Sequence, residues 1–300
     1  YELDRTNMTV TIGAGISFEQ LRLGLAKTGL EWPVQELPGQ SSVAEAILGG
    51  MAKVNSALFP DIRPWVLGST IVTGGTNIVH SGGSTIKNSS GYALTRALIG
   101  SHGVFGVPTE LKLRLRPQTE VSSHTLNGNK AMYESLELAL SDPNVVSRLE
   151  IWTDQASILT TVLLDDFYRT QYTSTHSSAS EHPQFTNKYY DEGSVVKHKD
   201  IDKADRLIIP RNSEFMIKWQ ASPHRCCQIA ETIAGIGSAR GMLILPLQRM
   251  GFAVSDDTNF MQFVQETGLE FNKLPFSELA VRALHENPIV QALNPEGLLK

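Results

Sequence analysis

The chain has 300 residues, 41% of them hydrophobic, and a formal net charge of −5, enough for a sizeable core and about two domains. Mild acidity without a dense basic run argues against a nucleic-acid binder, and no apolar stretch reaches the roughly 18 residues of a bilayer-spanning helix. The two cysteines, Cys226 and Cys227, are adjacent, a spacing that neither bridges readily nor fits a metal site, so they read as ordinary thiols of a reduced, cytoplasmic protein.

Met8–Ile12 is rich in β-branched residues and predicts a strand. Ser17 and Gln20 fit a capping box, Leu21 and Leu25 share a face, and Gly29 closes the helix between them. Trp32–Gly39, with two prolines, predicts a loop. Val43–Leu48 is short and mostly apolar, followed by Gly49 and Gly50. Trp65–Thr73 predicts a strand, the run Gly74 to Asn77 a hairpin turn, and Ile78–His80 its partner. Gly91–Ile99 predicts a short helix. Glu110–Leu115 alternates strictly and is the clearest half-buried strand. Arg116 and Pro117 close the first domain.

The second domain, residues 118–300, begins with a strand at Glu120–Leu126 and a helix at Lys130–Leu140. Val146–Leu164 is β-rich around Ile151 and Trp152, and Trp152 and Trp219 read as sheet core. Residues 168–205 form a polar insertion with His176, His182 and His198 at spacings that match no metal site. A strand at Glu214–Gln220, a helix at Pro223–Ile236 and a strand at Met242–Leu245 follow, and the tail is helical to about His285. Mixed elements of this kind predict an α+β cap, a sheet with helices on one face. The charge divides likewise: +2 over residues 1–117 and −7 over the remainder. No internal sequence repeat is visible.

One stretch stands apart. Ser81–Glu110 holds six glycines in 30 residues: Gly82, Gly83, Gly91, Gly100, Gly103 and Gly106. The usual share is about 7%. Such density means left-handed turns, or a backbone that must come close to another strand or to a cofactor.

This stretch, GGSTIKNSSGYALTRALIGSHGVFGVPTELKLRLRP, resembles the second half of the FAD-binding domain of the vanillyl-alcohol oxidase/PCMH flavoprotein superfamily. Within it, the chain resembles the glycolate oxidase E-subunit family. Gly82, Gly83, Lys87, Asn88, Gly91, Tyr92, Leu94, Arg96, Gly100, Ser101, Gly103, Gly106, Val107, Thr109 and Glu110 fit the pattern. Earlier, Thr9–Leu25, the turn Gly49-Gly50 with Asn55, and Arg63 with Val66-Leu67-Gly68 also fit, and Ala292–Leu299 resembles the family's close. The resemblance implies an α+β fold: the second half of a PCMH-type FAD-binding domain at 1–117, then an antiparallel-sheet α+β cap. It implies FAD as cofactor, since glycine loops present backbone N–H groups to a pyrophosphate. Gly49, Gly50, Asn55, Lys87, Asn88, Gly103, Gly106 and Val107 would be its contacts. It further implies a small 2-hydroxy acid as substrate, a catalytic D-type flavoprotein subunit and an iron–sulfur subunit as partners, and a cytoplasmic location, with any membrane association through those partners.

The sequence also departs from the pattern. It starts after the family's first subdomain, with its glycine-rich pyrophosphate loop. Lys53 stands where a small residue is usual, Leu58 and Pro60 replace glycines, Pro64 and Ala93 replace aspartates, and Pro108 replaces an isoleucine. Proline has no N–H to offer a cofactor. These departures keep a second expectation open, a non-flavin structural or interaction subunit of the same fold. No Ser/His/Asp or metal-ligand constellation emerges, so no catalytic residue is assigned. His102 reads as a loop histidine and His80 as a packing or hairpin-edge residue. Cys226 stands near a helix start, where a thiolate is favoured, against the alternative of a buried, inert thiol.

Overall fold

A computed structural model describes residues 1–36, 40, 42–50, 52–83, 94–119, 121–144, 146–154, 157–165, 215–236, 241–255, 262 and 271–274. The insertion at 168–205, the tail after residue 275, and Lys87 and Asn88 lie outside them. The chain forms two compact units. The first takes in Tyr1–Val54 and Asp61–Gln118, the second Asn55–Pro60 and the described residues between Thr119 and Pro275.

The first unit is built on a five-stranded antiparallel sheet. Its strands are β1 (Glu2–Asp4), β2 (Thr9–Gly13), β6 (Val66–Val72), β7 (Ile78–Gly82) and β8 (Val107–Arg114), in the order β1-β2-β8-β6-β7. Two short pairs flank it: β3 (Leu30–Glu31) with β9 (Arg116–Pro117), and β4 (Val34–Gln35) with β5 (Lys53–Val54). The predicted loop at 32–39 therefore contains a strand, because Val34 and Gln35 find their ladder partners 20 and 18 residues on, in Val54 and Lys53, beyond the reach of a local pattern.

Side chains alternate across a strand, and the sheet uses one face for its core. Val10, Ile12, Ile71, Leu111 and Leu113 pack with Phe18, Leu21 and Leu25 of α1 (Phe18–Leu25) and Ile47 of α2 (Val43–Gly49). The capping box at Ser17 and Gln20 forms in both directions. The short helix α3 spans Leu94–Leu98. Lys53 is buried on β5 opposite Gln35.

The second unit holds a seven-stranded antiparallel sheet, β10 (Val121–Asn127), β11 (Val146–Asp154), β12 (Ser157–Asp165), β13 (Phe215–Gln220), β14 (Gly241–Leu245), β15 (Met250–Ser255) and β16 (Phe271–Leu274). The order is β10-β12-β11-β14-β15-β13-β16. Helices α4 (Asn129–Ser141) and α5 (Pro223–Ile236) supply Met132, Leu136, Ile229, Ala230 and Ile233 to a core with Leu149, Ile151, Val162, Met242 and Ile244. Trp219 is buried in that core.

Element order shows a repeat that the sequence hides. β10-α4-β11-β12 and β13-α5-β14-β15 are each a strand, a helix and a hairpin. They occupy the sheet as mirror sequences, β10-β12-β11 and β14-β15-β13, joined where β11 pairs with β14. A sheet repeat constrains only which positions face the helices, so the two halves need share no residues.

Candidate functional site

The residues expected along a dinucleotide begin at the end of α2. The helix leaves its last carbonyls without intrahelical partners. Gly50 turns the chain there in the left-handed region, φ 59°, and its N–H donates to Ile47 O at 3.0 Å. The loop after α3 supplies further donors. Gly100 N–H donates to Ile47 O at 3.0 Å and His102 N–H to Leu48 O at 2.9 Å. The two backbones come so close that a Cβ on Gly50 would lie 2.9 Å from Gly100 Cα.

The rest of the loop closes on itself. Ser101 N–H donates to Leu98 O, Val104 N–H to Ser101 O and Gly106 N–H to Gly103 O. Gly103 N–H donates to the Ser101 hydroxyl at 3.3 Å. Gly100, His102 and Gly103 all hold positive φ, at 78°, 52° and 83°. Gly106 packs against β6, where a Cβ would lie 2.6 Å from Val72 O.

Val107 opens β8, half exposed and in register with Val72. Pro108 sits where the β6–β8 ladder slips: Thr70 faces Glu110 while Ile71 faces Pro108, leaving Thr109 as the extra residue. A bulge is where an interior strand tolerates proline, so the missing N–H costs the sheet little.

Asn55 lies elsewhere. Its Oδ1 accepts a hydrogen bond from Arg148 Nη1 on β11, and Arg148 pairs with Glu150 at 2.7 Å. All three are buried, at 4%, 2% and 3% exposure, and all belong to the second unit. Arg148 and Glu150 form a buried ion pair that the sequence argument passed over. Two charges two residues apart inside a β-rich run share one face, and that was the available signal.

The other face of the first sheet carries a shallow groove of about 200 Å³, lined among others by Thr11, Gly68, Thr70, His80, Gly82 and Lys112. Thr70 Oγ1 donates to Glu110 Oε2 at 3.3 Å and lies 3.0 Å from His80 Nδ1. A hydroxyl has one proton, so His80 donates to Thr70 through Nδ1. His80 is thus an exposed hairpin residue tied across three strands.

Cys226 and Cys227 are fully buried on α5. Burial first, then the Cys227 thiol beside Cys226 and the Glu231 carboxylate beside Cys227, pushes both up to about 12, so the helix start does not yield a thiolate. Burial and then the hydrogen bond to Glu231 likewise raise the Tyr133 phenol to about 12. Among the described residues no group of three or more His, Cys, Asp or Glu is placed to hold a metal, and no helix is long and apolar enough to cross a membrane.

The chain is 36% identical over 122 residues to a D-lactate dehydrogenase of Archaeoglobus fulgidus, covering 39% of this chain and 26% of that enzyme. It is 33% identical over 126 residues to the glycolate oxidase subunit GlcE of Escherichia coli, covering 40% and 35%. It is 30% identical over 143 residues to the glycolate oxidase subunit GlcD of Bacillus subtilis, covering 46% and 29%. The matched part thus spans about a quarter to a third of these relatives' length. No protein-family model matches the chain. Among solved structures, an alkyldihydroxyacetonephosphate synthase superimposes with a TM-score of 0.65 at 14% identity, over 99% of this chain and 64% of that one. The chain has the α+β fold of the PCMH-type flavoproteins. By sequence it is a relative of the FAD-linked 2-hydroxy-acid oxidoreductases.

A flavoprotein relative invites a test of whether the residues present fit FAD. A pyrophosphate needs converging N–H donors. The N–H groups of Gly50, Gly100, Ser101, His102, Gly103, Val104 and Gly106 are all engaged within the chain, Pro108 has none, and the Asn55 side-chain carbonyl is taken by Arg148. The described residues do not fit a pyrophosphate cradle.

Proposed function

We propose that the chain is an E-subunit-like component of an FAD-linked 2-hydroxy-acid oxidoreductase of the glycolate oxidase type. The single observation behind this reading is the likeness to GlcE, 33% identity over 126 residues, on a chain of PCMH-type fold. The relatives include a subunit named GlcD as well, and in this reading a D-type flavoprotein subunit carries the redox chemistry on a small 2-hydroxy acid. An iron–sulfur subunit accepts the electrons. The assembly is cytoplasmic, reaching a membrane only through its partners. Residues 1–117 act as the FAD-domain half and 118–300 as the cap. Gly49, Lys87, Asn88 and Val107 are the positions from which this chain would touch FAD.

Co-expression with a D-type subunit tests it. The expected result is a co-purifying, yellow complex that reduces an artificial electron acceptor with glycolate or D-lactate, and loses that activity when this chain is left out. Full activity of the D-type subunit alone, with no complex formed, would refute the reading.

A second reading, a non-flavin structural or interaction subunit of the same fold, draws on the engaged N–H groups of the Gly100–Gly106 loop. Flavin content separates the two. A complex with one FAD per pair of subunits favours the second reading, and one with two favours a flavin on each.

A further inference from the structure

We infer that the glycine-rich loop Gly100–Gly106 is a cap for the C-terminus of α2, and that its ligand is that helix rather than a phosphate. The inference does not depend on the flavin reading above. It starts from a general requirement: the last four carbonyls of a helix need donors, and a glycine in the left-handed region supplies one or two of them locally. At α2 the local cap is Gly50, which serves Ile47 O and Ala46 O. Leu48 O is left over, and Ile47 O has a second lone pair. Both are taken by the loop, through His102 N–H at 2.9 Å and Gly100 N–H at 3.0 Å.

Three further features fit a cap and not a cradle. The first is direction: an anion site needs adjacent N–H groups aimed at one point outside the chain, whereas here those of residues 100 to 104 and of Gly106 end on acceptors inside it. The second is space. On Gly50 and Gly106 the side where a Cβ would stand is filled by backbone, 2.9 Å from Gly100 Cα and 2.6 Å from Val72 O. The third is strain. His102, a residue with a Cβ, holds φ 52°, a strained conformation for an L residue that points its N–H at Leu48 O. Gly50 and Gly106 are therefore explained by the close approach of backbone, and Gly100 and Gly103 by their positive φ. A chain can keep this motif intact while binding no dinucleotide at all.

Amide hydrogen exchange on the full chain, with and without saturating FAD, tests the inference, with FAD binding followed separately by quenching of flavin fluorescence. The amides of Gly100, His102 and Gly106 are expected to exchange at least about 100-fold more slowly than in an unstructured peptide before any flavin is added, and to be unchanged by FAD. If FAD then binds, the flavin reading stands beside the inference. If FAD does not bind, the inference stands and flavin binding by this chain falls. Free exchange without FAD, or a tenfold or greater slowing at these amides when FAD is added, overturns the inference.

Discussion

Arg148 Nη1 donates to Oδ1 of Asn55, a residue 93 positions earlier in the chain, and the same guanidinium pairs with Glu150. Removing one partner of a buried ion pair strands the other in a poor solvent, and typically loses about 3–5 kcal/mol. Arg148→Met is expected to fall in that range by chemical denaturation. The double variant Arg148→Met with Glu150→Leu should recover most of the loss, because an apolar pair of similar volume is often neutral or better. A double variant no more stable than the single one would show that the network matters for more than charge compensation.

Glycine substitutions sort by what the new Cβ meets. At Gly50 and Gly106 it would meet backbone at 2.9 and 2.6 Å, with φ of +59° and +146°. Alanine at either is expected to cost about 2 kcal/mol or more, from strain and forced displacement together. At Gly103, φ +83°, the nearest atom is Gly106 O at 4.0 Å, so only the backbone penalty of about 1–2 kcal/mol remains. Thermal melting of the three variants should rank Gly103→Ala as the mildest. The reverse order would mean that the loop is packed differently.

His102→Gly is the complementary change. It relieves a left-handed histidine at φ 52° and keeps the N–H bonded to Leu48 O. Against this stands the greater freedom of glycine in the unfolded chain, about 0.4–1 kcal/mol. The variant should melt at the wild-type temperature or slightly above. A clear drop would assign the imidazole a structural contact stronger than the strain it carries.

The two thiols give a pH prediction. In the unfolded chain they ionise near the ordinary value of 9.0, and in the folded protein burial holds them neutral to about 12. Above pH 9 the unfolded state releases protons first, so the stability from these groups is full below 9 and falls as pH rises toward 12. Urea midpoints should decline across that window, and less steeply in Cys226→Ala/Cys227→Ala. At neutral pH a thiol reagent should label neither cysteine until the chain unfolds. Fast labelling of the native protein would contradict the buried placement on α5.

Much of the first unit was legible in the sequence because its signals are local. The capping box at Ser17 and Gln20 lies within one turn. The alternation at Glu110–Leu115 reports one buried face. The hairpin at Gly74–Asn77 joins strands a few residues apart. The motif positions from Gly82 to Glu110 were recognisable for the same reason, since spacing survives in one dimension. The pairing of Val34 and Gln35 with β5, and the β-α-β-β repeat of the second unit, were not legible. Each depends on partners that no short window contains.

The sequence by itself settled the kind of chain: an α+β protein, related to FAD-linked oxidoreductases, with glycines concentrated where backbones must come close. Which atoms those backbones approach was decided by tertiary structure alone. A glycine offers the same N–H to a phosphate or to a carbonyl oxygen, and its code in the sequence is identical in both cases. Only the folded chain, by bringing Ile47 O and Leu48 O to Gly100 and His102 and Arg148 to Asn55, selects the partner.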